Sequence, residues 1–231
     1  MSHGGISMTL RRFQAALAVL LGLLAPFAVA TAAAAAPGDT GTARPHARCW
    51  WGPLITNGSF ETPAVTSPNT WILTPGGGTV GWQTTDPQNS VELWGPNMGV
   101  PPFDGTQFSE INANAIDTIY QDVPTVPGTL VFWRLAHRAR NTTPGADVDR
   151  MQVVVGPPSG TTAAVRPFGQ FSPVIASGES RWDVRSGAFV VPPGQWVTRI
   201  GFQSLTGPAG YGNLIDGVTV IGRVCRTRPV V

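Results

Sequence analysis

From Leu54 to Gly222 the chain runs in short segments of alternating apolar and polar residues, separated by Gly and Pro. A period of two is the signature of a strand with one buried face. It predicts strands near Leu54–Glu61, Thr79–Thr85, Ser90–Trp94, Thr106–Asn112, Thr118–Val123, Thr129–Arg138, Asp149–Gly156, Trp182–Val191, Trp196–Ser204 and Leu214–Gly222. No amphipathic helical stretch of useful length competes with them. About ten strands in one unit, without blade-like repeats, predict an all-β fold, a β-sandwich of the jelly-roll kind. Residues 37–48 are small, polar and turn-prone and read as a flexible leader. Beyond Cys49 there is no second shift of composition, so 49–228 reads as one domain.

The alternation also assigns faces. Val91 and Leu93 oppose Glu92 and Trp94; Ser109 and Ile111 oppose Glu110 and Asn112; Val131, Trp133 and Leu135 oppose Phe132, Arg134, Ala136 and Arg138. With the aliphatic sets in the core, the outer face carries Glu92, Trp94, Glu110, Asn112, Arg134 and Arg138, with His137 and Arg140 at its edge. Trp133 and Trp182 are assigned to the core. Trp82, Tyr120 and Tyr211 are read as core or rim residues with a secondary claim to aromatic contacts.

Composition adds the compartment. Arg11 and Arg12 precede an apolar run from Phe13 to Val29 and an Ala-rich stretch to Ala36. This is the layout of a signal peptide over residues 1–36, cut after Ala30 or Ala36, and it predicts a secreted or extracytoplasmic protein with no stable membrane span after cleavage. Removing those two arginines from the 15 basic residues leaves 13 against 13 Asp plus Glu. A near-neutral chain advertises no nucleic-acid partner. The two cysteines, Cys49 and Cys225, stand near the ends of the predicted domain, and an oxidising compartment predicts that they pair.

Several motifs carry a resemblance. Asn57-Gly58-Ser59-Phe60-Glu61 and Leu214-Ile215-Asp216-Gly217-Val218 resemble the bookends of galactose-binding-like jelly rolls, a layout shared by many secreted bacterial carbohydrate-binding modules. Between them, Gly81-Trp82, Val91-Glu92-Leu93-Trp94, Asp104 to Asn112, Tyr120 to Val123, Pro127-Gly128 and Ala136 to Arg140 resemble internal motifs of that group. The resemblance implies carbohydrate as the partner. It also implies a structural calcium ion held by Glu61 and Asp216, with further oxygen ligands that the sequence does not identify; the competing reading is that the two carboxylates are only hydrogen-bonded at strand ends.

Sugars stack their C–H faces on aromatic rings and hydrogen-bond through their hydroxyls to carboxylates, amides and guanidinium groups. Trp94 with Glu92, Glu110, Asn112, Arg134 and Arg138 supplies those types. The competing reading of the same face is a solvated sheet surface with weak Glu–Arg pairs. For His137 the competing reading is a structural histidine bonded to Asp147 or Asp149. Taken alone, the residues favour the solvated face; the resemblance moves the balance and implies a non-catalytic carbohydrate-binding protein. A structural or adhesive surface protein is the first alternative, and a glycoside-acting enzyme using Glu92 and Glu110 is the second. No nucleophile elbow, zinc cluster or phosphate loop is present.

Overall fold

The alternation resolves into two antiparallel sheets that face each other across one apolar layer. The computed structural model describes residues 47–140, 149–207 and 210–227, all within the unit Pro45–Val231. The strands are β1 (Ala47–Pro53), β2 (Trp71–Pro75), β3 (Gln83–Thr84), β4 (Ser90–Trp94), β5 (Phe108–Glu110), β6 (Thr118–Pro124) and β7 (Leu130–Ala139). They continue with β8 (Arg150–Gly156), β9 (Ala163–Val165), β10 (Ile175–Ala176), β11 (Asp183–Val190), β12 (Val197–Ser204) and β13 (Asn213–Thr227). No helix occurs among the described residues.

One sheet runs β11-β7-β13-β5-β4-β2, with β1 added to the far half of β13. The other runs β10-β8-β12-β6-β3, with β9 on β8. Between them lie Val91, Leu93, Val131, Trp133 and Leu135 from the first sheet and Ile119, Met151, Val153, Ile200 and Phe202 from the second. Trp82 is fully buried, stacked on Phe60 at 4.9 Å and tilted against Phe202 at 5.7 Å. Each such side chain contributes about 1.5–3 kcal/mol by leaving water.

Three expectations are corrected. The first strand is Ala47–Pro53 rather than Leu54–Glu61, so the end of the expected leader is sheet. Residues 54–61 instead turn, with Asn57 at φ 51° and Phe60 at φ 56°. The strand Trp71–Pro75 has no counterpart among the predicted ones, because Pro and Gly flank a segment only five residues long. Trp182 does not join the main core. It stands half-buried on the outer side of the seven-stranded sheet, where its indole N–H donates to Pro101 O at 2.8 Å. The signal peptide expected over 1–36 lies outside the described residues.

Cys49 and Cys225 are joined, with Cα atoms 4.1 Å apart. They join the two ends of the described domain, 176 residues apart in sequence. They are register partners on adjacent strands β1 and β13.

Candidate functional site

Register places the outer-face residues of the seven-stranded sheet in two rows. One row runs Leu73, Glu92, Glu110, Leu214, Arg138. The next begins Trp71, Trp94, Phe108. The faces expected for Glu92, Trp94, Glu110, Arg134 and Arg138 are therefore the observed ones. Their environment is not. Residues of the 96–107 loop fold over this face, and Met98 and Val100 pack with Trp182 on a small cluster of Trp94, Phe108 and Leu214. Trp94 is only 6% exposed and Glu92 5%, while Glu110 is fully buried.

Glu92 and Glu110 are direct cross-strand partners. The Trp94 indole N–H donates to Glu92 Oε1 at 2.8 Å. Glu110 accepts from Arg140 Nη1 at 2.9 and 2.7 Å, and from the Gly212 N–H at 2.6 Å. Gly212 permits that approach, since a Cβ there would sit 2.5 Å from Ile111 O and 2.6 Å from Asn112 Nδ2. Burial, then the Glu92 charge beside it, pushes Glu110 up to about 8, against the opposing pull of Arg140 and Gly212. Glu92 is also raised, chiefly by burial. Two carboxyls share one guanidinium, so the pair retains a proton at neutral pH.

Arg140 is the hub. Besides Glu110 it donates to Gly210 O at 2.7 Å, and its guanidinium lies 3.7 Å from the Tyr211 ring centroid and 4.6 Å from that of Trp94. A planar cation between two rings is favourable, more so when desolvated. Tyr211 is 45% exposed and Trp71 49% exposed, so rings remain at the surface on either side of the buried charges.

The remaining sequence-predicted residues are placed as follows. Asn112 is fully buried with φ 86°, and its amide donates to Thr206 O and Tyr211 O. It shapes the loop that carries Tyr211 and is not on the surface. His137 is fully buried on the core side, with Nδ1 2.8 Å from Ser177 Oγ and Nε2 2.9 Å from Asn213 Oδ1. Burial holds it neutral, lowering it to about 4. The edge position expected for it is corrected by the same period of two that points Val131, Trp133 and Leu135 inward. Arg134 is exposed and lies 5.4 Å from the Phe103 ring centroid. Arg138 is half-buried at the end of the carboxylate row. The structure thus gathers Glu92, Trp94, Glu110 and Arg140, keeps Arg138 in line with them, and removes Asn112 and His137. Tyr211, which the sequence marks as a core or rim residue with a secondary claim to aromatic contacts, stands at the rim. Trp71 carries no signal in the sequence, because its strand carries none.

Glu61 and Asp216 meet at one loop. Glu61 accepts from the N–H of Thr106 and Gln107 and from Thr106 Oγ1, at 2.9, 3.1 and 2.7 Å. Asp216, fully buried, accepts from the N–H groups of Phe103, Asp104 and Gly217 at 2.8, 2.9 and 2.6 Å. Calcium requires six to eight oxygen ligands, about 2.3–2.6 Å away. Here three acceptor positions of each carboxylate are turned to N–H or O–H donors, which leaves few lone pairs for a cation. This arrangement does not fit the ion. The two carboxylates serve as clamps on the 103–107 loop.

No protein-family model matches the chain, and no curated protein matches it. Similar solved structures include the module TmCBM61 in complex with beta-1,4-galactotriose, at 14% identity over 73% of this chain and 97% of that one, with a TM-score of 0.44. A xylan-binding domain from CBM 22 is 14% identical over 78% of this chain and 98% of that one, with a TM-score of 0.46. The enzymatically active domain of tailspike protein 4 of bacteriophage CBA120 is 13% identical over 73% of this chain but only 21% of that one, with a TM-score of 0.43. The two-sheet sandwich rests on this chain's own strand pairing.

Proposed function

We propose that the protein is exported and binds carbohydrate without catalysis, through the outer face of the seven-stranded sheet between Tyr211 and Trp71. One observation carries this reading. The half-exposed Tyr211 ring is locked on a guanidinium that is itself fixed by a fully buried carboxylate. A ring immobilised before its ligand arrives loses little entropy on stacking. Arg138, half-buried at the end of the carboxylate row, supplies a guanidinium for hydroxyls. Export is supported by the Arg11-Arg12 pair and the Phe13–Val29 run.

A glycan array with the protein identifies the ligand, and calorimetry then compares variants. Tyr211→Ala should weaken the selected glycan about tenfold or more, the scale of a lost stacking contact, with the melting temperature little changed. An array without hits, or full affinity in that variant, would overturn the reading.

One observation favours an adhesive protein instead. Phe132, Phe168 and Ile221 are exposed around an apolar hollow of about 210 Å³ on the same sheet. Exposed apolar patches of this kind mark partner surfaces. A glycoside-acting enzyme using Glu92 and Glu110 is less well supported. Glu110 is buried with both oxygens engaged, so it offers no face to a glycosidic oxygen.

A further inference from the structure

The far half of β13 and all of β1 form a two-stranded ribbon, with Ala47 opposite Thr227 and Pro53 opposite Ile221. Trp51 is the register partner of Arg223, and Arg48 of Arg226. Both tryptophans of the ribbon are open to solvent, Trp50 at 42% and Trp51 at 57%, and Arg226 lies 5.7 Å from the Trp50 ring centroid. Two hollows flank the ribbon and share Arg223. One, of about 390 Å³, lies between Trp50, Trp51 and Leu130; the other, of about 320 Å³, is walled by Trp196, Val126 and Arg226. Trp196 is itself 66% exposed. Both volumes fall at the small end of the range of small-molecule sites, about 300–1,000 Å³.

Charge at this end has one sign. The segments 47–53, 124–131, 189–197 and 221–227 contain no Asp or Glu. Four arginines elsewhere have carboxylates: Arg140 has Glu110, Arg181 and Arg185 have Asp183, and Arg199 has Asp122. Arg48, Arg223 and Arg226 are exposed and form no ion pair among the described residues. Guanidinium forks left free beside indole faces match a ligand that has both a flat C–H face and a carboxylate.

We infer that the ribbon is a second binding site, distinct from the Glu92–Tyr211 surface, for an acidic saccharide whose pyranose ring stacks on Trp51 while its carboxylate is held by Arg223, its register partner. The Cys49–Cys225 bridge suits this role. A two-stranded ribbon is marginal in water by itself, and the bridge holds its register where the sandwich core no longer supports it. The inference does not depend on the first site.

The test titrates the protein with a galacturonate oligosaccharide and with its methyl ester, which keeps the ring and loses the charge. The acid form should bind, and the ester should bind at least about tenfold more weakly, the loss of a charge-assisted pair. Arg223→Gln and Trp51→Ala should each reduce binding of the acid about tenfold, and rising salt should do the same. Tyr211→Ala should leave it unchanged, which separates this site from the first. Both ribbon side chains are exposed, and melting temperatures confirm that the variants fold. Equal binding of acid and ester, no binding of the acid, or loss in Tyr211→Ala but not in Arg223→Gln would overturn the inference. So would capture of phosphatidylglycerol vesicles through Arg223 without any binding of the oligosaccharide, since the surface would then be a membrane contact.

Discussion

Glu92 and Glu110 stand directly opposite one another on β4 and β5, and their common cation, Arg140, comes within 2.7 Å of Glu110 alone. The asymmetry has a consequence for stability. The folded-state pKa of Glu110, raised by burial and by Glu92, lies near 8 against a usual carboxylate value near 4.5. Folding is then favoured by proton uptake: the pair's contribution is fully present below about pH 4.5 and declines as pH rises toward 8. His137 acts with the opposite sign, because its lowered pKa makes its contribution complete above about pH 6.5 and lost as pH falls toward 4. The melting temperature should therefore fall on both sides of a mildly acidic optimum. Glu110→Gln should make the alkaline limb shallower, with Asp216 and Asp117, raised by burial to about 7 and about 6, keeping part of it, and leave the acid limb in place. An unchanged alkaline limb in this variant would show that the pair holds no extra proton.

Arg140 is the cation that makes two buried carboxyls tolerable. Arg140→Met should cost about 3–5 kcal/mol in urea denaturation, the range for stranding a buried charge. Adding Glu110→Gln should return part of that loss. Strictly additive costs would mean that the two side chains do not act as a pair.

Trp94 and Tyr211 touch the same guanidinium from opposite situations. Trp94 is buried against Phe108, so Trp94→Ala should cost about 3–5 kcal/mol by leaving a cavity. Tyr211→Ala should cost about 1 kcal/mol or less, the worth of a partly exposed cation–π contact. Thermal unfolding of the two variants separates the packing ring from the exposed one.

The 103–107 loop is held by carboxylates that accept its backbone N–H groups. A chelator should leave the melting temperature unchanged, whereas a bound native-state ion would have raised it by mass action. Glu61→Ala should cost about 1–3 kcal/mol by leaving the Thr106 and Gln107 N–H groups without their acceptor. A drop in melting temperature on chelation would return Glu61 and Asp216 to the role of metal ligands.

Reduction of Cys49–Cys225 opens a loop of 176 residues. It should lower stability by about 2–4 kcal/mol. Hydrogen exchange should quicken first at Arg48–Gly52, while β4 and β7 stay protected. Uniform acceleration across both sheets would place the bridge at the centre of folding rather than on the ribbon.

What the sequence settled by itself was local. Period two needs nothing but the pleat, so it placed Val91, Leu93, Val131, Trp133 and Leu135 in the core and turned Glu92, Glu110 and Arg138 outward. The same period already put His137 inward. The sequence leaves its side chain between a surface group and a structural histidine bonded to Asp147 or Asp149, because its actual partners, Ser177 and Asn213, are 40 and 76 residues away. Long-range pairing decided the rest. β1 exists because β13 extends past the core and offers it an edge, and no local signal marks that. Trp94 was legible as an outward ring but not as a covered one. The cover comes from Met98 and Val100 in the loop, from Trp182 and from Arg140, and only the folded chain brings them over the sheet. For the same reason Glu92 and Glu110 carry no special chemistry as sequence positions. Burial between two strands, beside a single guanidinium, makes them a proton-sharing pair.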